Sequence, residues 1–186
     1  MKLKRIKFWD LFWLLLVLLL VFTPLGFHAR VAVTRLFSFS PSAIATSEQK
    51  ALVDYNWRLT NANGNLIEFE SYKGDVILLN YWATWCPPCV AEMPSMNELY
   101  EKYGETVTFL FVTNDSKENI VNYMKKNQYT FPVYYIQENA PPLLASQSLP
   151  TTFIIGKEGK IKVKKIGPAN WNSSHIHQLL DSLITP

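Results

Sequence analysis

The sequence predicts an α/β domain: a mixed central sheet with helices on both faces, preceded by a single apolar helix. Three observations carry this reading. From residue 48 onward, strand-length apolar runs alternate with stretches of helical period in the order ββ, βαβα, β, ββα. The composition is 48% hydrophobic, 14% aromatic and 18% charged, which excludes a disordered chain. At roughly 100–200 residues per domain, the 186 residues hold one domain and a tail.

The first element is a basic start, 1–7, with Lys2, Lys4, Arg5 and Lys7. An unbroken apolar run follows from Leu11 to Phe22 and extends to Phe27. Its 17 residues lie at the short end of what spans a bilayer, and Phe8 and Trp9 lengthen it. Small residues suited to signal cleavage are missing near Phe27, and Ala43-Ile44-Ala45 lies too far along. Residues 8–27 are therefore read as an uncleaved transmembrane signal anchor. Four basic residues precede it and two follow, which places the N-terminus in the cytoplasm and the rest outside. Residues 28–47, Ser-rich with Pro41, read as a tether to a domain at 48–186.

Within that domain, 57–59 and 66–69 alternate around Asn61-Ala62-Asn63-Gly64 and predict a hairpin. Residues 76–82 (VILLNYW) and 106–113 (TVTFLFVT) are continuous apolar runs expected of central strands. Between them, 87–103 is a helix with Met93, Met96, Leu99, Tyr100 and Tyr103 on one face and a kink expected at Pro94. Residues 116–127 form the next helix, N-capped by Ser116 with Asn119 at the third position. A short strand at 133–136 follows. Residues 151–155 and 160–166 form a hairpin around Gly156-Lys157-Glu158-Gly159, and 172–184 a last helix with Ile176, Leu179, Leu180 and Leu183 inward.

The charge is uneven. Residues 1–45 carry six Lys/Arg and one acid, whereas 46–186 carry twelve against fourteen. The basic balance thus belongs to the N-terminus, and the domain gives no sign of binding nucleic acid. Two cysteines exclude a disulfide-scaffold miniprotein and any four-cysteine metal site.

Those two cysteines carry the chemistry. Trp85-Cys86-Pro87-Pro88-Cys89 begins just after a buried strand and opens a helix. Cys86 then sits at the helix N-terminus, with Pro87 at the first helical position, where its missing N–H costs nothing. Unpaired N–H groups and the helix dipole favour a thiolate there and lower its pKa below about 8.5. A thiolate is the nucleophile of disulfide exchange. Cys89, one turn on, is placed to close onto a mixed disulfide. Rival readings are a structural bridge, which closes too short a loop to remove much chain entropy, and a metal site. The only histidines, His28, His175 and His177, lie far from the motif, and the last two read as solvated.

Asn80-Tyr81-Trp82-Ala83-Thr84-Trp85-Cys86-Pro87-Pro88-Cys89 resembles the active-site signature of thioredoxin-fold proteins. More narrowly, it is similar to the membrane-tethered TlpA/ResA-like group of bacterial thiol–disulfide oxidoreductases, over roughly residues 54–183. The resemblance implies a thioredoxin fold with the first hairpin as an N-terminal addition. It makes Cys86 the attacking and Cys89 the resolving cysteine, and Leu149-Pro150-Thr151 the cis-proline loop facing them. It puts Trp85, Pro87, Pro88, Leu149 and Pro150 at the substrate surface, and gives Glu92 a part in pKa tuning or proton relay. Pro94 matches the kink proline of the active-site helix. Asn80 departs from the buried Asp of cytoplasmic thioredoxins, which leaves Glu92 as the better base.

The same resemblance implies a redox-active disulfide with no other cofactor and no metal. Its substrates would be exported protein thiols and disulfides, apocytochrome c among them. Electrons would come from an integral membrane donor of the DsbD/CcdA type. The location would be the cytoplasmic membrane, single-pass, with the catalytic domain on the periplasmic side. The reductase direction is favoured, with oxidase or isomerase as the alternative. A peroxiredoxin needs a Pro-x-x-x-Thr-x-x-Cys loop, absent at both cysteines. A copper chaperone would need His175 or His177 to reach the motif.

Overall fold

A computed structural model describes residues 8–185; the basic segment 1–7 lies outside the described residues. The apolar run forms α1 (Phe8–Phe22), but it does not continue to Phe27. A second helix, α2 (Pro24–Leu36), leaves it at 77°. Among the described residues no single helix is long and apolar enough to cross a membrane; only the bent pair reaches that length. The break has a local cause. Pro24 opens α2 at its first position, and Thr23 Oγ1 caps it by accepting from Gly26 N at 3.2 Å. A Cβ on Gly26 would stand 2.0 Å from the Leu20 carbonyl oxygen, so the close turn needs glycine there.

The segment read as a tether is ordered along much of its length. α2 occupies its first part and packs on the helix that follows Cys86, with Val31 buried. The chain from Phe39 to Leu52 then lies along the domain as a strap. Asn170 N donates to Phe39 O at 3.1 Å, Ile44 N to Lys162 O at 2.7 Å and Ile161 N to Lys50 O at 2.9 Å.

The domain is built on one seven-stranded sheet of order β2-β1-β5-β4-β3-β6-β7. The strands are β1 (Arg58–Asn61), β2 (Leu66–Glu68), β3 (Ile77–Tyr81), β4 (Thr108–Thr113), β5 (Val133–Ile136), β6 (Thr151–Ile155) and β7 (Ile161–Ile166). β3, β4 and β5 run parallel; β1, β6 and the two outer strands are added antiparallel. The central runs are buried on both faces, as their unbroken apolar sequence requires. Both expected hairpins are present.

The remaining helices are α3 (Pro87–Tyr103), α4 (Lys117–Asn127) and α5 (Ser174–Ile184). Ser116 Oγ accepts from Asn119 N at 3.2 Å, the cap that the sequence predicts. α3 runs unbroken through Pro94.

The expectation of helices on both faces needs correcting. Met93, Met96 and Leu99 of α3, Ile120 of α4, and Ile176 and Leu180 of α5 all join one core with Leu78, Phe111 and Ile154. The opposite face (Ile77, Leu79, Val112, Phe153) is covered by Leu52, Tyr55 and Trp57, by Phe69 of a short 3-10 turn, and by Leu144. The reason is topological. β3-α3-β4 and β4-α4-β5 step the same way across the sheet, and right-handed crossovers then put both helices on one side.

Candidate active site

The site stands where β3 ends and α3 begins. Cys86 is the N-cap of α3, and its Sγ accepts from Cys89 N at 3.3 Å. Pro87 and Pro88 fill the first two helical positions, where no N–H is needed. Cys86 and Cys89 are joined as a disulfide with their Cα atoms 5.3 Å apart. The two sulfurs are not equivalent: Cys89 is 0% exposed, whereas Cys86 is 5% exposed and lines a groove. In the reduced state the positive end of α3 favours an anion on Cys86.

That groove has a volume of about 500 Å³. Trp85, 59% exposed, stands on its rim, with Pro87, Leu149, Tyr81 and Ile136 among the walls. The Leu149–Pro150 peptide is cis. Leu149 faces the groove, while Pro150 is buried behind it and Pro88 lies outside the walls on the first turn of α3. Of the residues expected at a substrate surface, Trp85, Pro87 and Leu149 are thus brought together with Cys86. A second hollow of about 480 Å³ continues past Tyr81 and Ser146 toward Glu138. The Tyr81 hydroxyl is buried between them without a hydrogen-bond partner in the described protein.

Glu92 follows Cys89 by three residues and so shares its helix face. It is fully buried, not a solvated helix carboxylate. Burial pushes its pKa up to about 7, against the opposing pull of hydrogen bonds from Trp171 Nε1 at 2.8 Å, Asn80 Nδ2 at 2.9 Å and Ala169 N at 3.2 Å. Asn80 Nδ2 also donates to Thr152 Oγ1 at 2.8 Å. A group poised near neutrality beside a dithiol can take and return a proton.

The loop carrying Thr84 and Trp85 is pinned from outside α3. Asp115 Oδ2 accepts from Thr84 N at 3.0 Å, and Oδ1 from Ser116 N at 2.7 Å and Asn119 Nδ2 at 2.9 Å. Burial works to raise the Asp115 pKa, but hydrogen bonds from Thr84, Asn119 and Ser116 outweigh it, and the carboxyl lies below its ordinary range. Sequence reasoning missed Asp115, though an acid just before an N-cap serine was a visible signal. It also missed Trp171 and Thr152, which reach Glu92 and Asn80 from distant strands and loops with no local signal.

Among the described residues, no three or more His, Cys, Asp or Glu side chains gather to hold a metal. His177 packs at the far end of α3, about 24 Å of helix from Cys86, where it bonds Lys102, Tyr103 and Asn172. It is half-buried rather than solvated; burial, with Lys102 nearby, lowers its pKa. His175 is exposed on α5.

Residues 55–164 match the AhpC/TSA family. The chain belongs to that family. This AhpC/TSA protein is 40% identical over 117 residues to the thiol-disulfide oxidoreductase ResA of Bacillus cereus, covering 60% of this chain and 66% of that protein. It is 35% identical over 136 residues to ResA of Bacillus subtilis, covering 70% and 73%. The chain therefore spans just under two thirds of the length of the Bacillus cereus relative. A DsbF homologue from Corynebacterium diphtheriae shares the thioredoxin-like α/β fold, with a TM-score of 0.61 and 20% identity over 77% of this chain and 93% of that one.

Proposed function

We propose that the protein is a thiol–disulfide oxidoreductase of the ResA type, held at the outer face of the cytoplasmic membrane by α1, that reduces disulfides in exported proteins. The observation that carries the chemistry is the unequal cysteine pair: one sulfur on a groove at a helix N-terminus, the other buried one turn on. Cys86 thiolate attacks a substrate disulfide and forms a mixed disulfide. Cys89 then attacks Cys86 Sγ, expels the substrate thiolate and closes the Cys86–Cys89 bond. Glu92 is the group placed to accept the Cys89 proton. Each turn leaves the site oxidised, so a membrane donor of the DsbD/CcdA type must return two electrons.

The membrane location rests on the basic start and apolar run of the sequence. The reductase direction rests on similarity to the Bacillus proteins named ResA. Haem-attachment cysteines of apocytochrome c are substrates of the required kind.

Trapping tests the roles. Cys89→Ser in cells should accumulate a mixed disulfide through Cys86, and the double variant with Cys86→Ser should accumulate none. Full multiple-turnover activity of Cys89→Ser overturns the assignment. Equilibration with glutathione tests the direction: a potential near about −120 mV is that of a strong oxidant and would defeat the reductase reading.

A further inference from the structure

Helix α2 carries two different faces. Phe27, Val31 and Thr34 are covered on the side turned to the domain. On the other side, Leu25, Ala29, Ala32, Val33 and Leu36 recur at helical spacing and make one apolar stripe. Leu25 is 78%, Val33 56% and Leu36 80% exposed. Phe37 and Phe39 continue the exposed apolar surface beyond the helix end. At 100° per residue, Arg30 projects on one flank of the stripe and His28 and Arg35 on the other.

We infer that α2 is an interfacial helix that lies on the bilayer surface, stripe down, and fixes the orientation of the catalytic domain. The inference rests on the reading of α1 as the membrane anchor. Three observations select lipid as the occupant. The stripe is continuous in sequence with α1, whose large apolar side chains, Leu16 apart, are exposed from Phe8 to Phe22. The 77° bend turns α2 close to the bilayer plane when α1 stands near the normal. Finally, 15 residues of α1 rise only about 22 Å against a hydrocarbon thickness of about 30 Å. The residues before it, Lys4-Arg5-Ile6-Lys7, are too charged to lengthen the span. An interfacial helix sinks about 5–10 Å into the headgroup and acyl boundary, which makes up the difference. Arg30, exposed on one flank of the stripe, suits anionic headgroups.

The consequence concerns the site. α2 packs on α3, with Arg35 and Ser38 walling a hollow beside Ala91, Pro94, Ser95 and Glu98. α3 begins at the dithiol, so the bilayer, α2 and Cys86 form one rigid series. The groove is then held at a set height and angle toward a membrane-embedded partner rather than swinging on a loose leash.

Spin-label depth measurements test this on the full chain in vesicles of phosphatidylethanolamine and phosphatidylglycerol. A Cys86→Ser, Cys89→Ser background carries one new cysteine at a time: Leu18→Cys in α1, Leu25→Cys and Leu36→Cys on the stripe, and Lys157→Cys on the domain. Labels at 25 and 36 should show high oxygen and low aqueous-nickel accessibility, as at 18, with the opposite at 157. Lipid contact at 18 together with water contact at 25 and 36 overturns the interfacial helix and leaves the anchor standing. Water contact at 18 overturns both. Spin–spin broadening at 36 that vanishes on dilution with unlabelled chain would mean that a second copy covers the stripe, and it also overturns the inference.

Discussion

Asn80 Nδ2 lies 2.9 Å from Glu92 Oε1, so the β3 position that is acidic in cytoplasmic thioredoxins here serves as hydrogen-bond donor to an acid one turn along α3 from Cys89. Asn80 leaves its own Oδ1 without a partner in the described protein, while its N–H groups serve both Glu92 and Thr152. This arrangement suits a carboxylate, whereas burial favours the acid. The pKa near 7 is the balance of the two.

Glu92→Gln should flatten the pH dependence of stability. The folded pKa is raised above the ordinary value of 4.5 to about 7, so the folded state holds its proton longer than the unfolded chain. Stability is therefore greatest below about pH 4.5 as far as this group is concerned, and falls as pH rises to about 7. The loss is on the order of 3 kcal/mol. Denaturant midpoints measured from pH 4.5 to 8 should slope downward in the native protein relative to Glu92→Gln. Parallel curves would show that the carboxyl titrates normally.

Trp171→Phe removes the 2.8 Å indole hydrogen bond to Glu92 Oε2 and keeps most of the ring. That bond favours the ionised form, so its loss should move the Glu92 titration above about 7. The pH at which Cys89 alkylation or turnover changes should rise with it. An unchanged pH profile would detach Trp171 from the tuning of the site.

Asp115→Asn should cost about 2–3 kcal/mol, because an amide presents N–H groups to donors that a carboxylate accepts. The Asp115 pKa is lowered on folding. Its contribution is present above the ordinary carboxylate range and is lost as pH falls through the folded value. Acid unfolding of the native protein should therefore include a component that the variant lacks. Faster alkylation of reduced Cys86 should accompany it, since Thr84 anchors the loop before the cysteine.

Trp85→Ala should lower kcat/KM on protein disulfides about tenfold, equivalent to about 1.4 kcal/mol. The side chain is exposed on the groove rim, so Tm should stay within the small range expected of surface substitutions. A fall in Tm with unchanged kcat/KM would make Trp85 a structural residue.

Gly26→Val should open the bend between α1 and α2, because a side chain there meets the Leu20 backbone. In the cysteine-free background, distances between spin labels at Leu14→Cys and Leu36→Cys should lengthen and broaden. An unchanged distribution would show that the bend does not depend on that contact.

Much of the molecule is legible where a period or a motif is local. Residues 76–82 announce a strand buried on both sides, Ser116 announces its helix, and Cys86-Pro87-Pro88-Cys89 announces a helix N-terminus with two sulfurs one turn apart. What failed was non-local or aperiodic. The direction in which β4 crosses to β5 is not written in either strand, so the clustering of α3, α4 and α5 on one face went unread. Trp171 and Thr152 join the Glu92 network across many residues. The break at Thr23-Pro24 was legible in principle as a cap followed by proline, but the apolar run around it outweighed that signal.

The strap from Phe39 to Leu52 has a practical bearing on how the protein can be cut. Ile44 N and the Lys50 and Leu52 backbones bond β7 and the turn before it, along the border of the sheet. A soluble fragment trimmed back to residue 53 would bare that border. It would leave β7 free to zip onto a neighbouring molecule, the usual route from an unguarded strand to aggregation. Trimming between α2 and Phe39 would leave the guard in place.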